Sequence, residues 1–244
     1  MNLSNTKLQR DLCKIYRDLA DEVSILEFSA PVFHVYNPLD YAREGFEEYL
    51  GYCRAEVDFF LLGMNPGPWG MVQNGIPFGD TSMVRDWLKI DSKPARPEHE
   101  HPKRPILGFD CPRPEISGRR LWGWARDEYK NPENFFARFF VGNYCPLAFL
   151  EKEGRNRTPD KLKAAEREKL FALCDKALAR AVELIRPKMV LGIGRFAEKR
   201  AGTACRESKI KIGGLPHPSP ASPKANQGWA RLAKEKIREY ENSL

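Results

Sequence analysis

Four short apolar runs, separated by helix-length segments, constrain the fold more than any other feature of the chain. They lie at 57–62, 135–141, 188–193 and 209–215, and most are halted by glycine or proline. Runs of this length with such boundaries read as buried strands. Helical patterns lie around them, at about 39–52, 82–90, 195–206 and 229–242. Thr158-Pro159 supplies an N-cap and an N1 proline for a long helix to about residue 185. At the N-terminus, Leu8, Leu12, Ile15 and Leu19 share one face of a helix over about 3–25. Strands alternating with helices give βαβ units and a parallel sheet covered on both faces. The expected fold is α/β: one three-layer domain over 1–244 with a central, mostly parallel four-stranded sheet flanked by helices. Residues 1–30 are expected to form an N-terminal helical extension.

The chain has 42% apolar and 30% charged residues, which excludes a disordered or fibrous protein. No apolar run reaches the ~18 residues of a membrane span. The first residues hold no apolar signal region, so the chain is not expected to be secreted. Its six cysteines, at 13, 53, 111, 145, 174 and 205, are never closer than 29 residues. Zinc ribbons and iron–sulfur sites need closer pairs, so no metal, no cofactor and no disulfide are expected, with thiols kept reduced. Net charge is unevenly placed. Residues 1–150 carry 18 basic and 21 acidic side chains, and residues 151–244 carry 22 and 12. A basic final third suits a polyanion or, equally, a solvated basic helix.

In an open parallel sheet, ligands bind beyond the carboxyl ends of the strands. Four segments fall there: 63–79, 143–146, 194–195 and 217–227. The first is rich in glycine and proline, so its backbone turns tightly and approaches a ligand closely. It lacks the lysine of a P-loop. Asn65 within it suits either ligand or water orientation or a simple Asx-turn. His217 stands between two prolines, as a fixed hydrogen-bond donor or as polar surface. Glu-His-Glu-His at 98–101 looks like a metal tract, but its charged, proline-flanked setting reads as a solvated loop. Gly192-Ile-Gly194-Arg-Phe-Ala197 matches a loose dinucleotide fingerprint, yet the acidic residue that should end the next strand is missing, so a tight strand-to-helix turn suffices.

Taken in order, several motifs resemble one family. They are Gly-Met-Asn-Pro-Gly-Pro at 63–68, Pro-Phe-Gly at 77–79, Ser-Met-Val-Arg-Asp-Trp-Leu at 82–88 and Asn143 before Cys-Pro-Leu. With them stand Cys-Pro-Arg-Pro-Glu-Ile-Ser-Gly at 111–118, Gly-Arg-Asn-Arg-Thr-Pro at 154–159, His-Pro-Ser-Pro at 217–220 and Ala-Asn-Gln-Gly-Trp at 225–229. Together they resemble the single-strand-selective monofunctional uracil-DNA glycosylases (SMUG) over about residues 30–240. The resemblance implies a base-excision-repair hydrolase that flips uracil, and also 5-hydroxymethyluracil, out of single- or double-stranded DNA and cleaves its N-glycosidic bond. It implies that Asn65 positions the attacking water and His217 donates to uracil O2 as charge develops there. Asn143 would read the base edge, Phe78 would stack on the ring, and Met64 and Gly67 would line the pocket near C5. Ser219, Pro220, Ala221 and Lys224 would meet the DNA. The family usually has a large basic residue where this chain has Ala221. The resemblance further implies DNA as the partner, a monomeric state, and the bacterial cytoplasm and nucleoid or the eukaryotic nucleus as the compartment. A non-catalytic or weakly active binder of damaged or single-stranded DNA is the alternative, because Asn65 is no general base.

Overall fold

The computed structural model describes residues 3–223, 225–242 and 244. Its chain order is α1 (Leu3–Ser24), β1 (His34–Tyr36), α2 (Pro38–Tyr41), α3 (Arg43–Leu50) and β2 (Phe59–Gly63). Next come α4 (Met71–Asn74), α5 (Thr81–Asp86), α6 (Ile116–Tyr129), α7 (Pro132–Phe136), β3 (Phe139–Asn143), β4 (Ala148–Leu150) and β5 (Asn156–Arg157). The chain closes with α8 (Ala164–Ile185), β6 (Met189–Ile193), α9 (Arg195–Ala204), β7 (Lys211–Leu215) and α10 (Trp229–Glu241).

The expected sheet is present and wholly parallel, in the order β3-β2-β6-β7. Phe59, Phe60, Leu61 and Leu62 of the inner strand β2 are fully buried. A strand covered on both faces requires such a continuous apolar run. Helix α1 buries Leu12, Ile15, Leu19 and Ala20 in the same core and packs along α8. Where β6 enters α9, a Cβ on Gly192 would lie 2.7 Å from the Ala197 backbone. The fingerprint glycine therefore serves close helix–strand packing rather than a dinucleotide.

Several expectations are corrected. A second, three-stranded sheet, β1-β4-β5, is antiparallel and built from strands of two or three residues, too short to show a period. Helix α6 occupies a stretch with no expected element. It buries Leu121, Trp122, Trp124 and Ala125 around much of its circumference, which hides the amphipathic pattern. Phe135 and Phe136 belong to α7, which Asn131 caps through Asn134 N (2.9 Å) with Pro132 at N1. Strand β3 begins only at Phe139. Thr158-Pro159 opens a single 3₁₀ turn, 159–161. Leu162 then runs extended, and α8 starts at Ala164.

The 98–101 tract also differs from a solvated loop. His99 and Glu98 are exposed, but His101 is fully buried, its Nε2 on Glu151 O (3.1 Å) and its Nδ1 accepting from Lys103 N (3.1 Å). On the basic α10, Lys234 pairs with Glu128 (2.6 Å), Lys236 with Glu239 (2.5 Å) and Arg231 with Glu235 (3.6 Å). These cations of α10 are thus partnered by carboxylates of α6 and of the helix itself. All six cysteines are buried and unpaired, and no helix among the described residues is long and apolar enough to cross a membrane.

Candidate active site

The carboxyl ends of the parallel strands open on a cavity of about 310 Å³. That is the low end of the ~300–1,000 Å³ typical of small-molecule sites. Met64, Asn65, Gly67, Phe78, Asn143, His217 and Ser219 all line it. Pro220 and Ala221 are exposed just past Ser219, and Lys224 lies outside the described residues. A larger and more open groove of about 950 Å³ lies at the amino ends of β6 and β7, against Lys176, Arg186, Cys205 and Ile210. It contains none of the residues the motifs single out.

The register of the sheet sets Gly63 opposite Asn143. A Cβ on Gly63 would strike the Asn143 amide and lie 2.6 Å from the Phe78 ring, so only glycine leaves room for both. Asn143 Nδ2 donates to Met71 Sδ at 3.2 Å. Phe78 itself has φ +55°, a left-handed conformation that is costly for an aromatic residue. Its surroundings enforce it. Asp80 N donates to Phe78 O (2.8 Å), Trp122 Nε1 to Pro77 O (3.2 Å) and Asn74 Nδ2 to Gly79 O (2.6 Å). The strained backbone holds the ring at the cavity, its centroid 6.3 Å from that of His217.

Asn65 is not an Asx-turn residue. Its Nδ2 donates across the chain to Leu147 O (3.2 Å) and to Pro66 O (3.4 Å). With both amide hydrogens directed at carbonyls, Oδ1 is the group left to accept a hydrogen bond. His217 is fixed just as definitely. Ser219 N donates to its Nδ1 at 3.0 Å, so Nδ1 is an acceptor and the ring proton sits on Nε2. Burial lowers its pKa below the ordinary histidine value, which favours this neutral donor form at pH 7.

The loop after His217 is held in shape. Arg120 of α6 donates to Pro218 O (2.8 Å) and Asn226 Oδ1 (2.9 Å), Asn226 Nδ2 to Pro220 O (2.9 Å), and Trp229 Nε1 to Pro216 O (2.7 Å). Ala221 stands at its tip, its N–H donating to Ser219 Oγ (3.2 Å).

Sequence reading missed Met71, Glu115, Ser117, Asn156 and Thr158, which complete the walls. Glu115 caps α6, accepting from Ser117 N (3.2 Å) and from Gly118 N. Burial raises its carboxyl above the usual range. Next to Pro68 of the cavity wall, Trp69 carries the guanidinium groups of Arg104 and Arg113 over its ring, each 4.7 Å from the ring centroid. The motifs at 111–118 and 154–159 were the available signal for all but Met71.

The carboxyl ends of the buried parallel sheet thus gather an asparagine, an aromatic ring and a proline-flanked histidine around one cavity. The family model for the uracil DNA glycosylase superfamily matches residues 50–242, which places the chain in that superfamily. A rat protein named single-strand selective monofunctional uracil-DNA glycosylase is 48% identical over 221 residues, covering 89% of this chain and 80% of its own. A bovine protein of the same name is 48% identical over 224 residues, covering 91% of this chain and 82% of its own. The chain belongs to the single-strand selective monofunctional uracil-DNA glycosylase family. The crystal structure of wild-type SMUG2 from Pedobacter heparinus shares the fold, with a TM-score of 0.63 at 17% identity over 92% of this chain and 97% of that one.

Proposed function

We propose that this cavity receives a uracil base extruded from DNA, and that Asn65 and His217 carry out hydrolysis of its N-glycosidic bond. The protein is a monofunctional uracil-DNA glycosylase of base-excision repair. A base inside a duplex is out of reach, so the nucleotide must leave the stack before chemistry. Phe78 then stacks on the pyrimidine and the Asn143 amide reads its edge, with Met64 and Gly67 close to C5. The C1′–N1 bond breaks with its electron pair leaving on uracil, and negative charge collects on O2. The neutral His217 donates Nε2–H to that oxygen. Asn65 Oδ1 holds a water whose oxygen bonds to C1′, and the proton this water sheds neutralises the uracil anion. The products are free uracil and an abasic site.

The observation that carries this reading is the Ser219 N–H to His217 Nδ1 bond, which commits Nε2–H to the cavity that Asn65 also lines. Asn65 is an amide and no general base, so water orientation and leaving-group stabilisation supply the rate. The described residues lining the cavity include no lysine for a Schiff base, in keeping with hydrolysis alone. The stacked Arg113 and the buttressed loop 219–223 suit a phosphate backbone at the mouth. One chain supplies the whole site, so a monomer suffices, and its place is wherever the cell keeps DNA. The reading extends to 5-hydroxymethyluracil and to both single- and double-stranded DNA. No observation favours a non-catalytic binder. An oligonucleotide with one uracil, incubated with the protein and treated with alkali, is expected to break at that position. Retardation of the DNA on a gel without breakage would contradict the proposal.

A further inference from the structure

The Gly-Arg-Asn-Arg-Thr-Pro segment brings an uncommitted amide to the cavity. Strand β5 alternates, so that Arg157 turns away and pairs with Glu151 (3.0 Å), while Asn156 and Thr158 both line the cavity. Among the described residues, Asn156 Oδ1 is buried without a hydrogen-bond partner. A buried acceptor left alone is costly, so such an atom at a cavity wall points to a donor that arrives with the ligand.

The chemistry limits what that donor is. Phosphate and deoxyribose oxygens within a DNA strand only accept hydrogen bonds. The donors this reaction brings are the uracil N3–H, the attacking water and, for a 5-hydroxymethyl base, its hydroxyl. The N3–H belongs to the base edge at Asn143, which lies in register with Gly63 and bonds Met71. Asn156 lines the same cavity as Asn65. Its strand pairs with β4 through Leu150↔Asn156 and Phe149↔Arg157, which brings Thr158 to the start of β4. Leu147, immediately before β4, is the residue whose carbonyl holds Asn65.

We propose that Asn156 is a second water-positioning residue, acting with Asn65. The water donates one hydrogen to Asn65 Oδ1 and the other to Asn156 Oδ1, which turns an oxygen lone pair toward C1′. Two acceptors fix both the place and the orientation of a nucleophile that no strong base activates. This inference rests on the hydrolytic reading above.

The test compares wild type, Asn156→Ala and Asn156→Asp under single-turnover conditions, with binding measured on DNA carrying a non-hydrolysable 2′-fluoro uracil nucleotide. Asn156→Ala is expected to lower the rate ~10- to 100-fold, the scale of a lost positioning contact, with Kd unchanged. Because its buried Oδ1 has no partner among the described residues, removal of the side chain is expected to leave Tm unchanged or raised. Asn156→Asp, still an acceptor, is expected to recover activity relative to alanine. A wild-type rate in Asn156→Ala would overturn the inference and leave the glycosylase reading intact. So would a loss confined to 5-hydroxymethyluracil, which would assign Asn156 to the 5-substituent. A fall in Tm without rescue by aspartate would make it structural and equally overturn the inference. A wild-type protein that excises no uracil would overturn both readings.

Discussion

Replacing His217 by alanine removes one donor and strands another. The Nε2–H that faces the cavity disappears, so charge on uracil O2 develops without it. Losing one preorganised donor of this kind costs about 3 kcal/mol of transition-state stabilisation, or roughly a hundred-fold in rate. The second cost falls on the fold, because Ser219 N loses the Nδ1 acceptor it holds at 3.0 Å. An amide left unsatisfied costs ~1–3 kcal/mol where it is shut off from water. At ~2–4 °C per kcal/mol for a chain of this size, Tm is expected to fall by several degrees while the protein stays folded at 25 °C. The assay is single-turnover cleavage of uracil-containing DNA at saturating enzyme, alongside Kd for an uncleavable analogue. The rate constant is expected to drop while Kd holds. His217→Gln, whose amide carries an N–H, is expected to recover part of the rate. A loss seen only in Kd, or no loss, would refute the leaving-group role.

Three further outcomes follow from the same geometry. Because burial depresses the His217 pKa, the rate is expected to stay level as pH falls through 6.5 and to decline only below it, when Nδ1 protonation displaces Ser219 N. Over that window the unfolded chain takes up the proton more readily, so His217 makes stability fall as pH falls, which urea titrations at stepped pH would follow. Asn143→Asp is expected to weaken uracil excision and admit some cytosine, since an ionised carboxylate accepts but cannot donate; unchanged discrimination would place edge reading elsewhere. Ala221→Arg is expected to raise excision from duplex DNA more than from single strands, because a methyl group at the tip of a rigid loop cannot replace the lost stacking. Equal effects on both substrates, measured in single turnovers, would show that the loop is not a wedge.

The parallel sheet and the strand-end segments around its cavity were legible because both obey simple rules, whereas the choice of the seven residues within those segments came from the family resemblance. Buried strands read as apolar runs, and ligand groups collect where those runs stop. What escaped lies on elements without a period. Strand β5 has two residues, too few for its alternation to be read from the sequence, and Thr158 was expected to open a helix rather than to follow a strand. Glu115 and Ser117 begin a helix whose buried tryptophans and two glycines obscure its face. The Asn131-Pro132 cap of α7 went unread, because the phenylalanines after it join the apolar run of the following strand. Arg120 could not be anticipated as the prop of the 218–226 loop, because the two lie about a hundred residues apart and meet only through tertiary packing.

The central claim is that the cavity hydrolyses a glycosidic bond with an amide-held water. Wild type and Asn65→Ala, compared on the same uracil-containing oligonucleotide in single turnovers with Kd measured in parallel, test it most directly. Wild type is expected to produce alkali-labile abasic sites. Asn65→Ala is expected to bind equally well and cleave ~10²-fold or more slowly. An Asn65→Ala protein that cleaves at the wild-type rate would contradict the account.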